Sequence, residues 1–253
     1  MALFNRRSGQ GLDHLAAGKE ENDRPTTRSE PSVPCSVHVV TAENKACYGR
    51  GLEESFRLRH QYYTVENNFL PCQSSGRETD EYDADDAIYF LAFEDHSERL
   101  VGSVRLLPTV RKVPLKEYVD LAGSYDVPRA PTTFHFSRMV VAQDRREGQP
   151  LNFVRASLRC AVLEYCLDEQ IDTLTLLMPM AMLQTFLTLG WNPVPLALPE
   201  LYRGMSMVVV TVDVSEVALK RTRKEAGIPR NLLIKRGITR PAITTTPYPT
   251  WLS

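Results

Sequence analysis

The sequence predicts an α+β sandwich, and three observations carry that expectation. Two neighbouring runs, Ala87–Phe93 and Arg99–Leu107, are largely apolar and are separated by the polar turn Glu94–Glu98, the pattern of an antiparallel hairpin. A third strand-like run, Thr133–Ala142, precedes a long amphipathic stretch at about 150–168. Strand and helix then alternate to the end of the body. Antiparallel strands followed by helix–strand units are the order of an α+β architecture.

The elements follow in turn. Ser36–Val40 reads as a first strand, and Thr41 as the cap of a following helical stretch. A helix over about 52–65 carries Phe56, Leu58, Arg59, Tyr62 and Tyr63. A polar, acidic loop with Gly76 leads into the hairpin. Leu115–Leu121 reads as a short helix. After the 150–168 helix come a strand at Thr173–Met178 and a helix at Ala181–Leu189, with Gly190 as its stop. Met205–Val214 is a strong strand, and Ser215 suits the cap of a last helix ending near Ala226. Residues 1–35 are polar and proline-punctuated and read as a flexible leader, 36–238 as one catalytic-sized domain, and 239–253 as an irregular tail.

Composition narrows the class. The 253 residues are 43% hydrophobic and 24% charged, with net charge −1, so nothing biases the whole chain toward nucleic acid or membrane. No apolar run approaches the ~18 residues of a membrane span. The five cysteines form no C-x-x-C pair and their number is odd, which fits a reducing cytoplasm better than a disulfide framework. The histidines are well separated, so no metal-ligand spacing exists and no metal is expected.

Four segments hold the candidate chemistry. The loop Gly76–Asp83 brings Asp80 and Asp83 to the edge of the first hairpin strand, either as solvated acids or as partners of a cation. Arg105 interrupts the apolar run Val101–Thr109, and faces water or is buried against a carboxylate such as Asp80 or Asp83. Arg138 sits in a strand of large apolar residues, three positions after His135; on a regular strand the two point to opposite faces, unless a bulge intervenes. A histidine there is a general base or a structural residue. Arg59 and Tyr63 share a helix face, for packing or for lining a substrate site.

Together these segments resemble the acyl-homoserine-lactone (autoinducer) synthase family. The matching motifs are Glu78-Thr79-Asp80-Glu81-Tyr82-Asp83, Gly102-Ser103-Val104-Arg105-Leu106-Leu107-Pro108-Thr109 and His135-Phe136-Ser137-Arg138, with Ala181-Met182 and Gly190-Trp191 further on. The resemblance covers about 45–225. It implies an acetyltransferase-like three-layer sandwich around a mixed, mostly antiparallel sheet, with a V-shaped split admitting an acyl-thioester arm. The implied substrates are S-adenosylmethionine and an acyl chain on acyl carrier protein or coenzyme A, with no cofactor, in the cytoplasm. The product would be a lactone quorum-sensing signal, released with methylthioadenosine.

The resemblance also distributes roles. Arg59, Phe69, Asp80, Asp83, Arg105 and Arg138 would bind S-adenosylmethionine; His135, Arg138 and Asp80 would be catalytic; Leu176, Met178, Met182 and Phe186 would line the acyl pocket. Arg145, Arg146, Arg155 and Arg159 form a basic cluster suited to docking an acidic carrier, with a second cluster at Lys220–Lys224. His135 stands where the family has an acid, and Phe69 where it has a tryptophan. The alternatives are an acyltransferase with another amine acceptor, as in the exosortase-associated enzymes, and a non-enzymatic relative that binds an acyl or adenosyl ligand.

Overall fold

A computed structural model describes residues 34–111, 113–114, 127–146 and 152–241. The helix expected at Leu115–Leu121, residues 242–253 of the tail and the leader before Pro34 lie outside those residues. The chain runs β1 (Cys35–Val40), α1 (Gly49–Arg59), β2 (Ile88–Glu94), β3 (Leu100–Pro108), β4 (Thr133–Val141), α2 (Phe153–Asp168), β5 (Thr173–Pro179), α3 (Leu183–Thr188), β6 (Val194–Pro195), β7 (Glu200–Tyr202), β8 (Met205–Asp213), α4 (Glu216–Ala226) and β9 (Leu233–Lys235). One sheet holds all nine strands in the order β6-β8-β5-β4-β3-β2-β1-β9, with β7 also paired to β8. Its pairings are antiparallel except β4 with β5 and β1 with β9.

The sheet is covered on both faces, which makes three layers. Alternate residues of its strands, among them Phe90, Leu106, Phe134, Phe136, Leu174, Leu176 and Val210, enter one core with α2, α3 and Trp191. The other face, with Tyr89, Leu91, Leu107 and Val209, meets Leu52 and Phe56 of α1. Burial on both sides explains why the central strands read as near-continuous apolar runs. Gly102 of β3 is required by the close approach of α2: a Cβ there would stand 3.0 Å from Val140 O and from Val154 Cγ1. Trp191 is fully buried and donates its indole N–H to Thr222 Oγ1 at 3.1 Å, which ties the α3 turn to α4.

Local signals explain most boundaries. Asn152 and Ser215 cap α2 and α4 by accepting from the backbone N–H of Arg155 and Ala218, and Gly227 closes α4 with φ 65°. Thr41 does not cap α1; its own N–H donates to Asn44 Oδ1, and a 3₁₀ turn at Lys45–Tyr48 comes first. The helix expected over 52–65 is α1 followed by a π-type segment, His60–Glu66. The wider turn swings Tyr62 and Tyr63 toward β4, where Tyr63 Oη donates to Met139 O at 3.1 Å.

Candidate active site

Three guanidiniums and three carboxylates interlock on the α1 side of the sheet. Arg59, on the last turn of α1, donates to Glu78 Oε2 at 2.5 Å and to both oxygens of Asp83 at 2.7 and 3.0 Å. Arg105, on β3, donates to Asp80 at 2.6 and 3.0 Å and to Asp83 at 2.7 Å. Arg138, on β4, reaches Glu78 at 3.2 Å and Asp80 at 2.9 Å. Tyr89 Oη also donates to Asp83 at 2.9 Å. Arg59 and Arg105 are each only 1% exposed, so these charges persist because every one is paired. Burial alone would raise the Asp83 carboxyl, but its bonds to Arg59 and the Arg105 charge outweigh that and hold it well below the usual range. Burial likewise lowers Arg59, and Asp83 and Glu78 reverse it, so its pKa is raised.

The second feature is a bulge in β4. Ser103 pairs with Val140 and Arg105 with Ser137, so β4 carries one extra residue opposite Val104. Arg138 takes the left-handed conformation there, with φ 53°. Phe134 and Phe136 point to the α2 side, so His135 and Ser137 point to the α1 side by alternation. The bulge then turns Arg138 to that same side. The condition left open by the spacing is therefore met: His135 and Arg138 share a face.

His135 is buried and its Nδ1 lies 3.1 Å from both Thr175 O and Thr175 Oγ1. A carbonyl oxygen only accepts, so a proton on Nδ1 satisfies this contact and leaves Nε2 as the acceptor. Desolvation, with the charges of Arg105 and Arg138 adding to it, pushes the imidazole pKa down to about 3. A base that takes up a full proton at neutrality needs the opposite shift.

The third feature is a cavity of about 450 Å³. β4 and β5 pair in parallel only from Thr133/Thr173 to Phe136/Leu176, and beyond that they separate. The cavity fills the gap. Tyr62, Tyr63, Phe69, His135 and Arg138 line it from the α1 side, and Phe136, Leu176, Met178, Met182, Phe186 and Arg159 from the α2 side. It therefore reaches both faces of the sheet through the split. Tyr202, Met205 and Met207 of β7 and β8 also line it.

The structure brings the expected residues together, with differences of position. Leu176, Met178, Met182, Phe186, Phe69, His135 and Arg138 all line the cavity, whereas Arg59, Asp80, Asp83 and Arg105 stand behind that lining. The basic cluster does not exist as one surface patch. Arg159 is 2% exposed, because α2 turns it inward, and Arg155 also lines the cavity. Arg145 is paired with Glu94, and Arg146 with Glu66. Glu78, bonded to both Arg59 and Arg138, was missed as a site residue; its place as first acid of the 78–83 motif was the available signal. Tyr62 also lines the cavity from the π-type segment, and Tyr202, Met205 and Met207 join it although no period in the sequence ties β7 and β8 to β4.

Comparison with known proteins agrees with this arrangement. The family model described as autoinducer synthase matches residues 44–222. The isovaleryl-homoserine lactone synthase of Bradyrhizobium diazoefficiens is 33% identical over 195 residues, covering 76% of this chain and 86% of that protein. The acyl-homoserine-lactone synthase of Rhizobium etli is 28% identical over 178 residues, covering 67% and 82%. Among solved structures, the CoA-dependent acyl-homoserine lactone synthase BjaI with SAM and isopentyl-CoA superposes with TM-score 0.73 at 32% identity, covering 81% of this chain and 95% of that one. The acyl-homoserine-lactone synthase LasI, 19% identical with TM-score 0.65 over 74% of this chain and 95% of that one, shares the fold. With its acetyltransferase-like sandwich, split sheet and interlocked charges, the chain belongs to the autoinducer synthase family and is an acyltransferase of the acyl-homoserine-lactone synthase kind.

Proposed function

We propose that this acyltransferase joins an acyl group from a coenzyme A thioester to the amine of S-adenosylmethionine, and then closes the lactone. The observation that carries the reading is the cavity through the β4–β5 split, with charged residues on one face and an apolar pocket on the other. The acceptor sits on the α1 side. Arg138, whose side chain is 11% exposed, lines the cavity and meets the methionine carboxylate, and Asp80, 18% exposed and bonded to Arg138 from behind the lining, supplies the negative charge that the ammonium faces. Phe69 offers a π face to the sulfonium or adenine. Arg59, Arg105, Glu78 and Asp83 are positioning residues that hold those two in place.

The amine attacks the thioester carbonyl; the C–N bond forms, the C–S bond breaks, and the thiol leaves. Strand edges left without a ladder partner beyond Phe136 and Leu176 supply donors for the developing oxyanion. His135 acts as a neutral acceptor that orients the amine through Nε2, and the ammonium proton passes to solvent. A methionyl carboxylate oxygen then attacks the γ carbon, the carbon–sulfonium bond breaks, and neutral methylthioadenosine departs. The relative bound to isopentyl-CoA, together with the pairing of Arg145 and Arg146, favours coenzyme A over an acidic carrier protein as donor. Both substrates belong to the cytoplasm, and the free thiols Cys35, Cys160 and Cys166 are compatible with that site.

The test supplies purified protein with S-adenosylmethionine and matched acyl-coenzyme A and acyl-carrier donors. Methylthioadenosine and an acylated lactone are expected by mass spectrometry, with the higher kcat/KM for coenzyme A. Absence of methylthioadenosine with every donor sinks the reading, and thiol release without it means that the acyl group passes to water or stays on S-adenosylmethionine without lactone closure.

A further inference from the structure

Arg159 is a charged group of the α2-side lining against which no carboxylate stands among the described residues. It projects from α2 into the cavity and is 2% exposed. Its Nε and Nη1 are buried with no hydrogen-bond partner among the described residues. Its visible contact is the Phe186 ring, 4.9 Å from the guanidinium carbon. Arg155, one helical turn earlier, lines the same cavity, so two cations share a helix face. Arg59, Arg105 and Arg138 are each bonded to carboxylates. Burial, with Arg155 adding to it, brings the Arg159 pKa down to about 9, which leaves it charged at neutrality.

A cation–π contact is smaller than the cost of desolvating an unpaired guanidinium. Packing alone therefore does not account for an arginine where methionine would fill the space. The side chains of Phe136, Leu176, Met178 and Met182, which line the same cavity, are apolar and bring no anion to it.

We propose that Arg159 determines acyl specificity by selecting acyl chains that carry an oxygen acceptor beyond the thioester carbonyl, such as an oxo, hydroxyl or carboxylate group. This rests on the acyl-transfer reading above. A plain alkyl tail would seal the guanidinium from water and give nothing back, whereas an oxygen acceptor completes its hydrogen bonds. Discrimination through a buried polar group left unpaired by the wrong substrate exceeds that obtained from apolar shape.

The experiment compares wild type with Arg159→Met on coenzyme A thioesters of matched length: plain alkyl, 3-oxo, 3-hydroxy and ω-carboxy. Wild type should favour at least one oxygen-bearing donor over the alkyl chain by about tenfold or more in kcat/KM. Which donor gains identifies the acceptor. Arg159→Met should bring the donors to within roughly threefold by raising the alkyl rate, as expected when a buried cation is removed from an apolar pocket. A wild type that prefers alkyl or aryl tails, or a variant that lowers all donors alike, overturns the proposal. Thermal shifts with non-transferable thioether analogues of the same four chains read the preference without turnover. They separate failure of this proposal (equal shifts) from failure of the acyl-transfer reading (no methylthioadenosine with any donor). Arg159→Lys, which keeps the charge and loses the planar fork, serves if the methionine variant does not fold.

Discussion

His135 and Arg138 stand three residues apart on β4, and the chemistry of each is set by what surrounds it. The imidazole sits against Thr175 and near two guanidiniums, and its pKa falls to about 3. It is then a neutral acceptor across the physiological range. This yields a prediction about rate. The rise of kcat/KM with pH should follow the substrate ammonium, near the ~8 of an α-amine, and His135→Gln should lower the plateau without moving the inflection. An inflection that shifts with the substitution would return His135 to the role of general base. The imidazole was legible as a candidate in the sequence. The direction of its shift was not, because that depends first on burial in the folded sheet and then on the charge of Arg105, thirty residues earlier in the chain.

At the scale of elements, β4 decides the site twice. Its bulge turns Arg138 onto the face of the acid network, and its departure from β5 after Phe136 opens the cavity. The left-handed backbone at Arg138 costs about 1–2 kcal/mol for a residue with a Cβ. Arg138→Gly and Arg138→Ala both remove the guanidinium, so both should abolish most activity. The glycine variant should nevertheless be the more stable of the two in urea unfolding, by about 1 kcal/mol. Equal stability would mean that the bulge carries no strain. The run Phe134–Val141 reads as a strand from its apolar content, yet nothing in that content marks one residue as extra. A bulge is defined by the partner strand, and its register exists only once β3 is in place.

At the scale of the molecule, His135 and Asp83 contribute to the pH dependence of stability in two different windows. The unfolded imidazole titrates near 6.5 and the folded one near 3, so as pH falls below about 6.5 the unfolded chain binds a proton that the folded chain refuses. Stability is lost from there downward, by at most ~1.4 kcal/mol per pH unit. Asp83 acts in a lower window: its folded pKa is depressed, so its contribution is present above the unfolded value of ~3.9 and is lost as pH falls through the folded one. Urea midpoints of wild type and His135→Gln should therefore diverge with rising pH between about 4.5 and 6.5 and run parallel above 7. Parallel curves throughout would show that the imidazole is not held neutral.

The order and type of the main elements, the α+β class, and the charged positions from Arg59 to Arg138 that identify the family were all legible in the residues alone. These are local properties: period, capping residues and motif spacing. Tertiary structure sets which charges are buried and paired, how Glu78 joins Arg59 to Arg138, and why Arg145 and Arg146 are paired while Arg159 is turned inward with no carboxylate against it among the described residues. It also decided that the cavity takes residues from β7 and β8. The physical reason is common to all of these. Desolvation and ion pairing act through space, between groups separated by 19 to 60 residues in the network, and a sequence carries the charges without the distances. Interlocked charges and an apolar pocket meet at the β4–β5 split only because the sheet opens there.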